Sequence, residues 1–222
     1  VTIAFNPQRK AIVTGATKLD SYQRKRRHEA IARPVSAALY NQPFSQVVSG
    51  DAGSVISVWN CVEGENVFSF NEAHGDAKVS AMTFDTTGRR LLTGGTDGTL
   101  YMWNFNNGSR LNEYVGFGSA EISCCLYIED GPNRYVAAAG WNRKVCVWRD
   151  TGSYTEQVHH CMEGHEDDII CAIFCKPNVI ATGSYDGKVM LWKIDGVLKQ
   201  TLVPMDHLSL IHISEPTRQE AS

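Results

Sequence analysis

Apolar and polar residues alternate in short runs along most of this chain, and small polar clusters interrupt the runs. The stretch Asp76–Asn107 shows the pattern best. Val79, Ala81 and Met82–Phe84 form a half-buried strand that ends at the polar turn Asp85-Thr86-Thr87-Gly88. Arg90–Gly94 forms a second strand, and Thr96-Asp97-Gly98 the next turn, where glycine adopts φ > 0 without steric cost. Thr99–Phe105 alternates again around Trp103. No run has helical period or length, so the pattern predicts short strands joined by tight turns. One such unit cannot bury both its faces, which predicts copies elsewhere in the chain.

The copies follow a regular spacing. Trp59, Trp103, Trp148 and Trp192 end four matching strands, 44, 45 and 44 residues apart. Each strand follows a small-residue turn (SGDAGS, GGTDGT, AAGWNRK, GSYDGK) and, before it, an apolar strand. A β-only pattern with this period is the mark of a blade-repeat propeller. These residues resemble the WD-repeat family over residues 34–204. The expected fold is therefore all-β: a β-propeller of WD-type four-stranded blades, incomplete, with four repeats and a partial one. The expected organisation is a degenerate repeat with a basic loop in residues 1–33, four repeats in 34–207 and a non-native tail in 208–222.

The two ends need separate readings. Val1–Gln23 follows the strand order of a repeat, with Tyr22 where a Trp belongs. Its AIVTGAT string is similar to the opening of a dinucleotide-binding fold, but no second loop glycine and no apolar helix follow. Arg24–His28 (RKRRH) reads as a solvated loop rather than a nuclear signal or phosphate contact. The start at Val1, inside a strand-like run, suggests a fragment. Leu208–Arg218 (LSLIHISEPTR) resembles a translated sequencing adapter and is set aside from fold reasoning.

Composition narrows the function classes. The 222 residues are 43% apolar and 20% charged, with net charge −3. Removing the tail takes away one Arg and two Glu and leaves −2. That balance offers no footprint for nucleic acid or an anionic membrane, and no run is long enough to span a bilayer. Seven cysteines without framework spacing read as reduced thiols, hence an intracellular, cytoplasmic setting. Cys124 and Cys125, as strand neighbours, are expected on opposite faces.

The WD-repeat resemblance implies a buried hydrogen-bonded set of His, Ser/Thr, Asp and Trp in each blade. In the fourth repeat it implies His165, Ser184, Asp186 and Trp192. The indole would donate to the hydroxyl and the His to the Asp, so the set is structural although its composition mimics a catalytic triad. The second repeat keeps Asp97 and Trp103, with Gly95 in the hydroxyl position and His74 displaced by one. The third keeps Asn142 and Trp148, and the first only Trp59. Three blades are thus expected to rest on packing and ladder bonds.

Sites for chemistry are few. His159, His160, Cys161, His165, Cys171 and Cys175 suggest zinc, but no paired Cys-x-x-Cys spacing exists, Cys171 and Cys175 fall on an apolar strand, and His165 belongs to the structural set. No metal and no cofactor is expected. The turns before each Trp strand carry Ala52, Thr96, Trp141 and Tyr185. In the family these turns surround the mouth of the central channel. Trp141 and Tyr185, with Thr96 and Asp51, are the candidate partner-binding residues. Trp141 either packs over its own hairpin or stands free, and the sequence does not choose. The leading reading is a non-catalytic protein–protein interaction scaffold. The chain is also similar to large multi-propeller proteins, some with EF-hands and some linked to cilia or testis; no EF-hand loop occurs here. Two other readings are a channel-site propeller enzyme and a ubiquitin-ligase substrate receptor. The second is weakened because Trp148 is followed by Arg149-Asp150, the reverse of the adaptor-binding order.

Overall fold

A computed structural model describes residues 33–203 in full and the backbone of two strands before them, β1 (Thr2–Asn6) and β2 (Ala11–Gly15). The basic run Arg24–His28 and the tail 208–222 lie outside the described residues. Every described element is a strand. After the β1–β2 hairpin come β3 (Val35–Asn41), β4 (Gln46–Asp51), β5 (Ile56–Asn60) and β6 (Asn66–Phe70), which form blade 1 in that order. Blade 2 is β7 (Val79–Phe84), β8 (Arg90–Gly95), β9 (Leu100–Asn104) and β10 (Arg110–Val115). Blade 3 is β11 (Ile122–Asp130), β12 (Asn133–Gly140), β13 (Lys144–Arg149) and β14 (Thr155–Glu163). Blade 4 is β15 (Ile169–Cys175), β16 (Val179–Ser184), β17 (Val189–Lys193) and β18 (Leu198–Leu202). Neighbours within each blade are antiparallel. We letter the strands a to d from the innermost outwards; the innermost strands β3, β7, β11 and β15 lie side by side in order.

The core lies between blades rather than inside any one of them. Val48, Ile56 and Val58 of blade 1 pack on Val79, Leu91, Trp103 and Phe105 of blade 2. Leu92, Leu100 and Met102 of blade 2 pack on Ile122, Cys125, Val136 and Trp148 of blade 3. Ile128, Ala137, Val145 and Val147 of blade 3 pack on Ile180, Met190 and Trp192 of blade 4. Successive side chains of a strand point to opposite faces, so Leu91 serves one interface and Leu92 the next. This explains why the central strands read as unbroken apolar runs: both faces are covered. Cys125 and Cys124 divide in the same way between the two interfaces. Each repeat Trp of blades 2, 3 and 4 faces the blade before it.

A serine fastens each of the first three blades to the next. Strands β3, β7 and β11 each carry a bulge near their start, at Ser36, Ser80 and Ser123. The extra residue turns its hydroxyl across the interface. Ser80 donates to Ile122 O (2.6 Å) and Ser123 to Ile169 O (2.5 Å), and Ser36 donates to Val79 O. In blade 4 the bulge residue is Ile170. Gly140, which ends β12, lies against the approach loop of its own blade. A Cβ at Gly140 would meet Glu121 O at 2.0 Å, a contact backbone cannot relieve.

Two features depart from expectation. Outer strands β10 and β14 pair in parallel over Glu113–Val115 and Thr155–Gln157, joining blades 2 and 3 into one eight-stranded sheet. And Cys146 and Cys161, opposite each other on β13 and β14, form a disulfide. The reading of all seven cysteines as reduced thiols is therefore corrected. A cross-strand pair depends on register, which a separation of 15 residues does not reveal.

Candidate functional site

Strands b and c of each blade meet in a tight turn at one end of the sheet. The loops between blades reach the same end, as the Thr96 N–H to Lys78 O bond (3.0 Å) shows. In the turns the third residue, where it is Asp97, Asn142 or Asp186, accepts an N–H from two residues on. The fourth residue takes φ > 0: Gly98 (79°) and Gly187 (75°), but Ser54 (64°) and Arg143 (62°) in the other two. A side chain in that conformation costs on the order of 1–2 kcal/mol, so the Arg143 turn is strained where its glycine counterparts are not.

Behind the turns lie the buried hydrogen-bonded sets. In blade 4 the Trp192 indole donates to Thr182 Oγ1 (2.9 Å). His165 Nε2 meets the same hydroxyl at 2.8 Å, and His165 Nδ1 meets Asp186 Oδ2 at 2.9 Å. The partners fix the tautomer: Nδ1–H donates to the carboxylate and Nε2 accepts from the hydroxyl. His165, Asp186 and Trp192 are thus brought together, but Ser184 is not among them. Its hydroxyl donates to Asp167 O (2.9 Å) and accepts the Asp186 N–H. The physical reason is register. Trp192 pairs with Ile180, and the residue two further along β16, Thr182, shares its face. Ser184 lies at the strand's end, over the turn.

The same correction applies to blade 2, where Thr93, not Gly95, supplies the hydroxyl. Trp103 donates to Thr93 Oγ1 (2.8 Å), which also meets His74 Nε2 (2.8 Å). Thr99 then stands between His74 Nδ1 (2.6 Å) and Asp97 Oδ1 (2.8 Å). Blade 1 keeps a Trp59–Ser49 bond (2.8 Å). In blade 3, Ala138 holds the equivalent place, and Trp148 donates to Val115 O instead (2.8 Å). The expectation that three blades lack the set is overturned for blade 2.

Charge in these sets follows from burial and bonding. Burial pushes the His74 imidazole down to about 4, against the pull of Asp97. Burial would raise the Asp186 carboxyl, but hydrogen bonds from His165, Lys188 N–H and Glu166 N–H outweigh it and hold it near 2. The Asp186 side chain is 4% exposed and that of Asp97 36%. Thr182 is buried, with its proton given to His165 and its oxygen accepting the Trp192 N–H, so this Thr/His/Asp group presents no nucleophile to solvent. Burial also pushes Cys124 up to about 12 and Cys125 well above its ordinary value.

The zinc candidates do not converge. Cys161 is bridged to Cys146, His160 Nε2 meets Ile194 O, and His165 is held by Thr182 and Asp186. Among the described residues no group of three or more His, Cys, Asp or Glu surrounds a common point. Asp150, two residues after Trp148, has a buried side chain paired with Arg90 (3.3 Å).

What stands free is aromatic. Trp141 is 52% exposed and Tyr185 68%, each in its bc turn. Trp141 is pinned by its N–H to Glu121 O (3.0 Å), and Tyr185 by its N–H to Asp168 O (3.0 Å). The rings do not touch each other among the described ring contacts. Asp51 and Thr96, the other two candidates, serve the frame: Asp51 Oδ1 accepts the Gly53 and Val55 N–H groups, and Thr96 Oγ1 accepts Lys78 N–H. Beside Trp141 an open cleft of about 220 Å³ runs past Asn142, Arg143, Lys144, Glu163, Gly164 and His165.

Comparison with known proteins agrees with this geometry. The profile described as "WD domain, G-beta repeat" matches residues 64–104 and 156–193, each starting at or just before an outer strand and running into the next blade. A "WD repeat-containing protein on Y chromosome" from Drosophila pseudoobscura pseudoobscura is 31% identical over 173 residues, 74% of this chain and 16% of that protein. Its namesake in Drosophila ananassae is 28% identical over 201 residues, 86% of this chain and 18% of that protein. The chain thus spans less than a fifth of the length of these curated relatives. WD repeats generally mediate protein–protein interactions as scaffolds. With four Trp-centred blades, buried His-Thr-Trp sets and these matches, the chain belongs to the WD-repeat family and is an incomplete WD-type β-propeller.

Proposed function

We propose that this chain is a non-catalytic protein-interaction scaffold that docks its partner on the bc turns of blades 3 and 4. The observation that carries this reading is the exposure of Trp141 and Tyr185 on adjacent turns. Trp and Tyr supply large contact area with few rotors to freeze, which is why they dominate binding hot spots. Both residues are more than half exposed, while the turns beneath are tied to the frame by backbone bonds. A rigid turn with a protruding ring pays little ordering entropy on docking.

The test is capture of partners by photo-crosslinking in extracts, comparing wild type, Trp141→Ala with Tyr185→Ala, and Tyr154→Ala. Tyr154 is 55% exposed in the cd turn of blade 3, at the other end of the sheet, where it accepts hydrogen bonds from Arg110. Loss of a specific crosslinked partner in the double variant, with Tyr154→Ala unchanged, supports docking at the bc turns. The reverse pattern moves the docking surface to the far end.

A further inference from the structure

Charge around the two exposed rings points to the chemistry of the partner. The loop Glu166–Asp168 runs between their turns. On the Trp141 side, Arg143 donates through Nη1 to Glu166 O (3.2 Å). On the Tyr185 side, Ser184 Oγ and Tyr185 N–H bind the carbonyls of Asp167 and Asp168. The loop's backbone is therefore spent on the frame; the Glu166 and Asp167 side chains are left at the surface and Asp168 is half-buried beside them. Lys188 takes the Glu166 carboxylate (2.8 Å), and Lys144 takes Glu163 (2.7 Å). Asp167 Oδ1 accepts only the neutral N–H of Asp168 (2.8 Å), and among the described residues no cation pairs with Asp167 or Asp168. Arg143 is the one cation of these two turns that no carboxylate pairs with, and it is engaged by a carbonyl.

We propose that this surface recognises a basic, extended segment of a partner protein. Lys or Arg stems lie against the rings of Trp141 and Tyr185, and their charged heads reach Asp167 and Asp168. Three physical terms favour that occupant. The faces of Trp and Tyr attract cations. Long basic side chains cover apolar surface with their methylenes while the head stays at a polar group. A carboxylate with no resident cation gains a charge-assisted bond without breaking an existing pair. A phosphorylated or acidic segment would meet like charge at both aspartates, with only Arg143 to receive it. The proposal rests on the scaffold reading and specifies it.

The experiment uses the 222-residue chain, titrated calorimetrically with a short Lys/Arg-rich peptide and with the same peptide carrying Glu at the basic positions. The basic peptide is expected to bind and to weaken as salt rises. Asp167→Asn with Asp168→Asn keeps the carbonyls that hold the turn and removes the charges; it is expected to lower affinity about tenfold, and Tyr185→Ala to lower it as well. Glu63→Gln with Glu65→Gln, exposed in the cd turn of blade 1, is expected to change nothing. The proposal falls if the acidic peptide binds equally well or if the aspartate variant binds like wild type. It falls too if the Glu63/Glu65 variant weakens as much, since attraction would then be general. Crosslinking separates the two readings. A partner lost with Trp141→Ala and Tyr185→Ala but kept by the aspartate variant leaves the docking surface standing and overturns its basic occupant. A partner kept by every variant overturns both.

Discussion

Thr182 illustrates how much one hydroxyl can hold. It accepts the Trp192 indole N–H, donates to His165, and so links strand b, strand c and the approach loop of blade 4. Thr182→Val keeps the shape but leaves two buried polar groups unpaired, a loss expected at about 2–4 kcal/mol. Ser184→Ala removes a bond to a loop carbonyl and a longer one from the Asp186 N–H, both at the part-buried turn, and is expected to cost about 1 kcal/mol. Urea denaturation measures both, and equal costs would contradict the assignment of Thr182. The His and Asp members set a pH dependence with a definite sign. His74 falls from 6.5 in the unfolded chain to about 4 when folded, so the unfolded chain takes up a proton first. Stability is full above pH 6.5 and declines as pH falls towards 4. Asp186 falls from 3.8 to about 2, so its contribution is present above 3.8 and lost below it. His74→Gln is expected to flatten the upper window and Asp186→Asn the lower, in denaturation midpoints followed against pH. The sequence shows His165, Asp186 and Trp192 readily, because each stands beside a turn or at a repeat peak. It shows the hydroxyl only after strands b and c are paired from Trp192 back to Ile180. Counting from the Trp alone lands on Ser184, two residues too far along.

At the scale of elements, the strands were legible because short, mainly apolar stretches recur between Gly- and Asp-containing turns. What the pattern does not show is where each innermost strand bulges. A bulge inserts one residue without changing composition, and Ser36, Ser80 and Ser123 look like ordinary surface serines. Paired, they are fasteners. Each hydroxyl shares its one proton between the first strand of the next blade and strand b of its own. Ser80→Ala is expected to cost about 1 kcal/mol and to raise amide exchange in β7 and β11 together, because one bond holds both strands. Ile170→Ser, which installs the hydroxyl where no onward strand is described, is expected to leave stability within about 0.5 kcal/mol. Exchange rising in β7 alone would show that Ser80 supports its own blade and not the joint.

For the whole molecule, the decisive fact is that apolar faces are covered by neighbours. Blade 3 is enclosed by blades 2 and 4, and its middle strands are buried over Val136–Gly140 and Val145–Trp148. Blade 4 meets a described neighbour on one face only. On the other, Ile173 is 62% exposed, and Val189 and Leu202 are exposed with it. Ile170 joins them where the earlier blades carry a serine. Apolar area on this scale, worth about 25 cal/mol per Å² when removed from water, drives association. Flat sheet faces and free edge strands do so readily, and β18 is exposed along its whole length. The 222-residue chain is therefore expected to self-associate as its concentration rises, by light scattering after size exclusion. Ile173→Lys places a charge at the centre of the face and is expected to shift the population towards monomer, with the melting temperature little changed because Ile173 touches no described interface cluster. If wild type and Ile173→Lys scatter alike, association runs through another surface. The bc turns would be next to test, since Trp141 and Tyr185 are among the other large apolar groups left in water on blades 3 and 4, and Tyr185→Ala would then be the variant that dissociates it.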